Sequence, residues 1–288
     1  MDIDNEASSL RLTTPGEVIS DSSAVLRGHG TYVEDEDVVA SLAGVVSRVN
    51  KLVVVKALKS RYIPEVGDLV VGRVVDVGSK RWKVDINSRL DGILMLASVN
   101  LPGGIQAGPR PPRRRLEADE LQMRNFFEEG DLLVAEVQSF FAEGSTALHT
   151  RSLKFGKLRN GQLVTIPSTL VRRLKSHFFS LTCGVDIILG MNGYIWVQKH
   201  TAANQKEGEE GFDSEAVYSN VNDDIDWMTR AAIGRVSNII LVFARYQFPL
   251  TDTLLNEAYD WITDNEIDVK NILSEEVAES LMIGLMQS

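Results

Sequence analysis

A recurring phrase fixes what the middle of this chain can become: Gly67-Asp68-Leu69-Val70-Val71 returns as Gly130-Asp131-Leu132-Leu133-Val134. Each copy is a turn followed by an apolar, β-branched run, the mark of a strand start. The two copies frame one module from Gly67 to Arg151, with strands predicted at 69–77, 81–87, 92–97, 132–141 and 146–151. Five short strands interrupted by one long loop match a Greek-key OB barrel, whose second and third strands and neighbouring loops form the ligand face.

The chemistry of that face is written on the second strand, Lys80-Arg81-Trp82-Lys83. Side chains alternate across a strand, so Arg81 and Lys83 share one face while Trp82 and Val84 share the other. Arg81 and Lys83, with Lys80 and Arg89 on either side, are phosphate candidates. Trp82 has two readings, a core residue or a stacking platform worth roughly 1–3 kcal/mol per base. Further along, His149 and Arg151 alternate with Leu148 and Thr150 and, with Lys154, extend the basic surface. The loop after Leu101 carries Pro109, Pro111 and Pro112 among Arg110, Arg113, Arg114 and Arg115. Those prolines favour extended polyproline geometry and hold the guanidinium groups away from the domain. The loop reads as a solvated basic segment or localisation signal, or as a contact for RNA or a partner. Arginine's planar fork suits phosphate.

Charge and cysteine narrow the class. The chain has 288 residues, 44% of them hydrophobic, enough for two or three domains with their own cores. A formal net charge of −10 argues against duplex binding over the whole surface, so a nucleic-acid site must be local. Cys183 is the only cysteine, which excludes an internal disulfide framework or a cysteine-based zinc site. The start, Met1-Asp2-Ile3-Asp4, lacks the basic and apolar regions of a secretory signal, and no apolar run approaches the roughly 20 residues that span a bilayer. A soluble protein in a reducing, intracellular setting is expected.

The flanks supply two further domains. After a polar segment 1–13, β-branched runs alternate with turns to form a small β domain over 14–63. Its Arg27-Gly28-His29-Gly30 contains a Gly-x-Gly, but Val33 stands where a third dinucleotide-binding glycine belongs and Glu34-Asp35-Glu36-Asp37 would repel a pyrophosphate. A tight turn is the expectation. The barrel then occupies 64–157, including an amphipathic helix from Leu116 to Glu129 with Leu121, Phe126 and Phe127 as its apolar patch. Residues 158–288 are mixed: a strand at 163–166, a helix at 168–175 capped by Ser168, strands at 185–189 and 194–197, a solvated loop at 206–211, and helices at about 225–245, 252–263 and 274–286, the last capped by Ser274. Gly190-Met191-Asn192-Gly193 satisfies the Gly-x-x-Gly of a KH loop, which clamps a nucleic-acid backbone. Asn-Gly between two β-branched runs instead signals a hairpin with both central residues at positive φ. Gly190, Asn192 and Gly193 are therefore read as a structural turn.

Together, Arg27-Gly28-His29-Gly30-Thr31-Tyr32, Val49-Asn50-Lys51-Leu52, Arg81-Trp82-Lys83-Val84, Asn100-Leu101-Pro102-Gly103-Gly104, Leu148-His149-Thr150-Arg151-Ser152-Leu153-Lys154 and Gly190-Met191-Asn192-Gly193-Tyr194-Ile195-Trp196 resemble the eukaryotic RNA-exosome cap subunits of the ribosomal RNA-processing-protein-four family. The motifs span residues 27–196, and the helices beyond rest on pattern alone. The resemblance implies an N-terminal β domain, an OB barrel of the ribosomal-protein-S-one type and a KH domain. It implies a place on a ring of RNase-PH-like subunits beside other cap subunits, with single-stranded RNA passing toward a 3′-to-5′ ribonuclease carried by another subunit. It also implies work in the nucleus, nucleolus and cytoplasm, and a Gly-x-Asn-Gly turn that packs on the barrel.

Three functions are weighed. A non-catalytic RNA-binding cap subunit accounts for a local basic patch on an acidic chain. A nuclease would need carboxylates converging on divalent ions. Here they sit in the acidic loop and along helix faces, and His29, His149, His177 and His200 show no ligand spacing. No catalytic residue, metal or cofactor is expected. An OB/KH adaptor for ribosome biogenesis or translation uses the same modules, and only the family motifs argue against it.

Overall fold

A computed structural model of the chain describes residues 11–58, 60–99, 117–152, 154–200 and 218–287. The chain divides into two units after Ser60.

The first unit holds β1 (Leu12–Thr13), β2 (Val18–Asp21), β3 (Leu26–Arg27), β4 (Thr31–Glu34), β5 (Asp37–Ala40), β6 (Gly44–Val49) and β7 (Leu52–Ala57). They form two small sheets, ordered β1-β6-β7-β3 and β2-β5-β4. Ile19, Ala40, Val53 and Val55 make the core. The Gly-x-Gly serves close approach: a Cβ on Gly28 would sit 2.5 Å from the Val53 carbonyl oxygen, and one on Gly30, at φ +75°, 2.5 Å from that of Val55. The tight-turn reading stands.

The second unit begins at Arg61, and next to it the Tyr62 hydroxyl donates to Asp68 at 2.6 Å. Residues 61–63, assigned by the sequence to the first domain, thus belong with the barrel. Its strands are β8 (Leu69–Gly78), β9 (Arg81–Asp85), β10 (Gly92–Val99), β11 (Leu132–Phe140) and β12 (Thr146–Thr150). The order β12-β10-β9-β8-β11 closes because β12 also pairs with β11. The repeated phrase accounts for part of the closure. Gly67 and Gly130 take φ of +90° and +97°, and Asp68 and Asp131 each accept the amide three residues back, from Glu65 at 3.0 Å and Glu128 at 2.8 Å. Each turn then bonds the other strand: Gly67 N–H to Val137 and Val137 N–H to Asp68, Gly130 N–H to Val74 and Val74 N–H to Asp131. A two-residue strand, β13 (Gly156–Lys157), edges β11.

The single helix expected over 116–129 is two short pieces, α1 (Glu117–Leu121) and α2 (Met123–Phe126). Phe127 leaves the helix in extended conformation and is fully buried, whereas Leu121 is 89% exposed. The barrel takes Phe127 as its plug and leaves Leu121 outside.

The KH-type part has an antiparallel sheet of β14 (Gly161–Thr165), β15 (Phe178–Ser180), β16 (Val185–Leu189) and β17 (Tyr194–Lys199), ordered β14-β17-β16-β15. Helices α3 (Trp227–Arg245), α4 (Asp252–Asp264) and α5 (Glu275–Gln287) complete a core that includes Ile187, Leu189, Ile195, Val236, Ile240, Phe243, Ile262 and Leu281. Asp226 and Thr251 cap α3 and α4 by accepting from Thr229 and Leu254 amides. The Ser274 hydroxyl does otherwise, donating to the Asn271 carbonyl at 2.7 Å. The helix expected over 168–175 is only a 3₁₀ turn, Ser168–Leu170, after which Val171 is extended. Arg173 is instead drawn to Asp68 of the barrel.

Candidate RNA interface

Strand register assembles one outward face of the barrel. Arg81 and Lys83 on β9 point to solvent, and opposite them on β10 stand Met95 and Ile93. Ile93 in turn faces Ala147 on β12. Ile93 itself is buried, so the two cations border a small apolar row whose accessible parts are Met95 and Ala147, an arrangement that can hold phosphates at its edge and a base face against the exposed apolar groups. Lys83 pairs with Asp76 at 3.4 Å and Lys80 with Glu120 at 3.0 Å. Both pairs are solvated, so each is worth about 0–1 kcal/mol and yields readily to a phosphate. Lys80 holds the β8–β9 turn at φ 60°. Arg81, Arg89 and Arg151 are exposed and form no ion pair among the described residues.

Trp82 is not a stacking platform. It is fully buried, its indole Nε1 donates to the Phe127 carbonyl at 3.0 Å, and its ring meets Phe127 edge to face at 5.4 Å. The alternation that exposes Arg81 and Lys83 sends Trp82 inward, so the core reading holds. His149 lies on the outer side of β12 but is half-buried, opposite Glu136. Burial pushes its pKa down, Glu136 pulls it back, and Arg151 lowers it further. The ring is therefore neutral near pH 7 and offers hydrogen bonds or a face to RNA, not a charge. Lys154 is exposed beyond β12. Arg110, Arg113, Arg114 and Arg115 lie outside the described residues.

The Gly190-Met191-Asn192-Gly193 turn is built into the seam between sheet and barrel. Gly193 N–H donates to Gly190 and Gly190 N–H to Tyr194, and Gly193 alone in the turn has positive φ, +83°. This is a type I turn with a following left-handed glycine, not the two-residue primed turn expected from Asn-Gly. A Cβ on Gly190 would lie 2.5 Å from the Tyr194 carbonyl oxygen, and one on Gly193 would overlap that of Ile166. Asn192 is fully buried: Nδ2 donates to the carbonyls of Val71 at 2.6 Å and Ile86 at 3.0 Å. Met191 N–H donates to Leu69 at 2.8 Å. No surface remains there to clamp a nucleic acid.

Sequence reading missed the residues that answer this turn from the barrel. Asn87, at φ 58°, donates through Nδ2 to the Asn192 carbonyl at 2.9 Å, and Tyr194 donates to Asp85 at 3.1 Å. Burial and the Asp85 carboxylate push the Tyr194 hydroxyl up to about 12. These contacts pin the loop that carries Arg89. A second polar knot joins Asp68 to Tyr62, the Glu65 amide and Arg173. Burial and Asp68 push the Tyr62 pKa well above the ordinary tyrosine value.

Among the described residues no group of three or more His, Cys, Asp or Glu side chains could hold a metal ion. Among them, too, no helix is long and apolar enough to cross a membrane.

Comparison with known proteins agrees with this architecture. Three family models match: the exosome complex exonuclease RRP4 N-terminal region over residues 12–49, the RRP4 S1 domain over 61–139 and a KH domain over 161–203. The exosome complex component rrp4 of Schizosaccharomyces pombe is 53% identical over 256 residues, covering 86% of this chain and 75% of that protein. The exosome complex component RRP4 of Mus musculus is 45% identical, covering 96% and 89%. That of Saccharomyces cerevisiae is 44% identical, covering 87% and 76%.

Proposed function

The chain belongs to the RRP4 family of exosome components, and from that premise we propose that it is a non-catalytic RNA-binding cap subunit that guides single-stranded RNA into the exosome channel for rRNA processing and RNA turnover. The observation that carries this reading is the outward pair Arg81 and Lys83 beside the Ile93, Met95 and Ala147 row. The carboxylates support a non-catalytic role, since among the described residues the buried ones, Asp68, Asp119 and Asp186, all have partners: Tyr62 and Arg173 engage Asp68, Ser180 and His200 engage Asp186, and Asp119 is not free either. The proposal includes docking on RNase-PH-like ring subunits beside other cap subunits, delivery toward a separate 3′-to-5′ ribonuclease, and residence in nucleus, nucleolus and cytoplasm. An adaptor role outside the exosome is not favoured, because the matching relatives are exosome components.

The test is the salt dependence of binding to labelled single-stranded RNA. Arg81→Ala, Lys83→Ala and Arg151→Ala should each lower the slope of log K against log salt by about 0.7 for every phosphate the native side chain neutralises. An unchanged slope in the triple variant overturns the assignment of this face. Incubated alone with Mg²⁺, the wild-type protein should leave the RNA intact; processive 3′-end loss abolished by one Asp or Glu substitution overturns the non-catalytic reading.

A further inference from the structure

We infer that Tyr218, which belongs to none of the barrel strands, is a positioning residue for the RNA-facing strand β9. The inference rests on the reading of that face given above. Tyr218 is buried within the barrel core, 61 residues beyond the last residue of β13 in a chain that has meanwhile built the KH sheet. Its ring meets Phe126 edge to face at 5.6 Å and Phe127 at 5.4 Å. Phe127 meets Trp82 in the same way and accepts the Trp82 indole N–H on its carbonyl oxygen. Trp82 sits between Arg81 and Lys83, so one relay of rings runs from Tyr218 to the inner side of the strand whose outer side carries the cations. Edge-to-face pairs fix ring orientation as well as depth.

The segment after Tyr218 is tied down along its length, which makes the ring a fixed wedge. Lys157, whose side chain is 6% exposed, pairs with Asp131 of the repeated turn and donates to Asn220 Oδ1. Asn220 Nδ2 donates to Glu128 at 2.6 Å. Arg159 donates to the Val221 carbonyl at 3.3 Å. Asn160 engages Asp223 at two points: its Nδ2 donates to the Asp223 carboxylate at 2.7 Å while its Oδ1 accepts the Asp223 amide at 2.8 Å. Glu128 and Asp131 flank the turn into β11, so the strap closes over the end of the barrel where Phe127 enters. The five barrel strands do not supply this ring; the chain brings it from outside them.

The test is hydrogen exchange of full-length protein, read on β9 and on β16 as an internal reference, with RNA affinity measured alongside. Tyr218→Ala should speed exchange of the β9 amides by about tenfold while leaving β16 unchanged. It should weaken single-stranded RNA binding several-fold with the salt slope kept, since the cations remain. Tyr218→Phe, which keeps the ring, should restore both. If Tyr218→Ala melts the whole unit, Asn160→Asp carries the test: a carboxylate facing Asp223 loosens the strap from outside the core, and β9 should again exchange faster than β16. Unchanged β9 exchange, or equal acceleration of β16 in Asn160→Asp, overturns the inference. Wild-type protein whose RNA binding ignores Arg81 and Lys83 would defeat the RNA reading of the face, and the exchange result would still judge the role of Tyr218 in holding β9.

Discussion

Asn192 and Val71 stand 121 residues apart, yet the Asn192 side chain satisfies both backbone groups of Val71, donating to its carbonyl at 2.6 Å and accepting from its amide at 3.4 Å. The KH-type hairpin therefore acts toward the barrel as one more hydrogen-bonding edge. Asn192→Ala should cost about 2–4 kcal/mol, because the Val71 and Ile86 carbonyls are left buried without their donor. Asn192→Asp should cost more, since a carboxylate would face two carbonyl oxygens. The cost arises from broken hydrogen bonds and not from backbone strain, as Asn192 is not among the residues at positive φ. Urea unfolding of both variants checks it: a fall smaller for Asp than for Ala contradicts the account.

Trp82 gives the sharpest separation between stability and binding. Trp82→Ala removes a fully buried indole and should destabilise the second unit by about 3–5 kcal/mol. Trp82→Phe keeps an edge-to-face partner for Phe127 and gives up one hydrogen bond, about 1 kcal/mol. RNA affinity of Trp82→Phe should match wild type. A tenfold loss of affinity with unchanged thermal stability would return Trp82 to the binding face.

The contrast between these two residues shows what local pattern can and cannot carry. The repeated Gly-Asp-Leu phrase and the alternation on β9 announce the barrel and the outward Arg81 and Lys83, because each is decided by neighbours within a few residues. Asn192 reads locally as a hairpin asparagine, and its real partners, Val71 and Ile86, are fixed only when two modules meet. The segment 168–175 has helical composition but yields to Arg173 reaching Asp68, 105 residues away. Tyr218 sits in Ala-Val-Tyr-Ser-Asn, a stretch with no periodicity to announce that its ring completes a core begun at Tyr62. Likewise Phe127 and Leu121 part ways because the barrel end, and not helix periodicity, selects which apolar side chain is buried.

Stability should fall in mild acid through two histidines. Burial holds the pKa values of His177 and His149 below the ordinary value, and for His177 the pull of Asp68 does not outweigh burial and Arg173. His177 Nε2 accepts from the Leu174 amide at 3.4 Å, which puts the proton of the neutral ring on Nδ1, a buried atom with no hydrogen-bond partner among the described residues. The unfolded chain takes up protons first, so the contribution is complete above about pH 6.5 and is lost as pH falls toward the lowered native values. Urea midpoints measured from pH 7.5 to 5 should decline less steeply for His177→Gln than for wild type. Parallel curves would mean that His177 charges freely in the fold.

The Asp68 carboxylate, with a side chain 2% exposed, depends on a guanidinium that is half in solvent, and this asymmetry sets the last prediction. Arg173→Ala leaves a buried charge whose remaining donors among the described residues are the Tyr62 hydroxyl and the Glu65 amide. The loss should be about 3 kcal/mol, the lower end of the range for breaking a buried pair, because those two donors remain. In an Asp68→Asn background the same Arg173→Ala change should cost far less, giving a coupling of about 1–3 kcal/mol in a double-mutant cycle. Arg173 joins the KH-type part to the turn that opens β8, so the loss should appear as earlier exposure of the seam in denaturant. A coupling near zero would show that water replaces the guanidinium at Asp68, and that the seam is held by its other contacts, those of Asn192, Met191 and Tyr194.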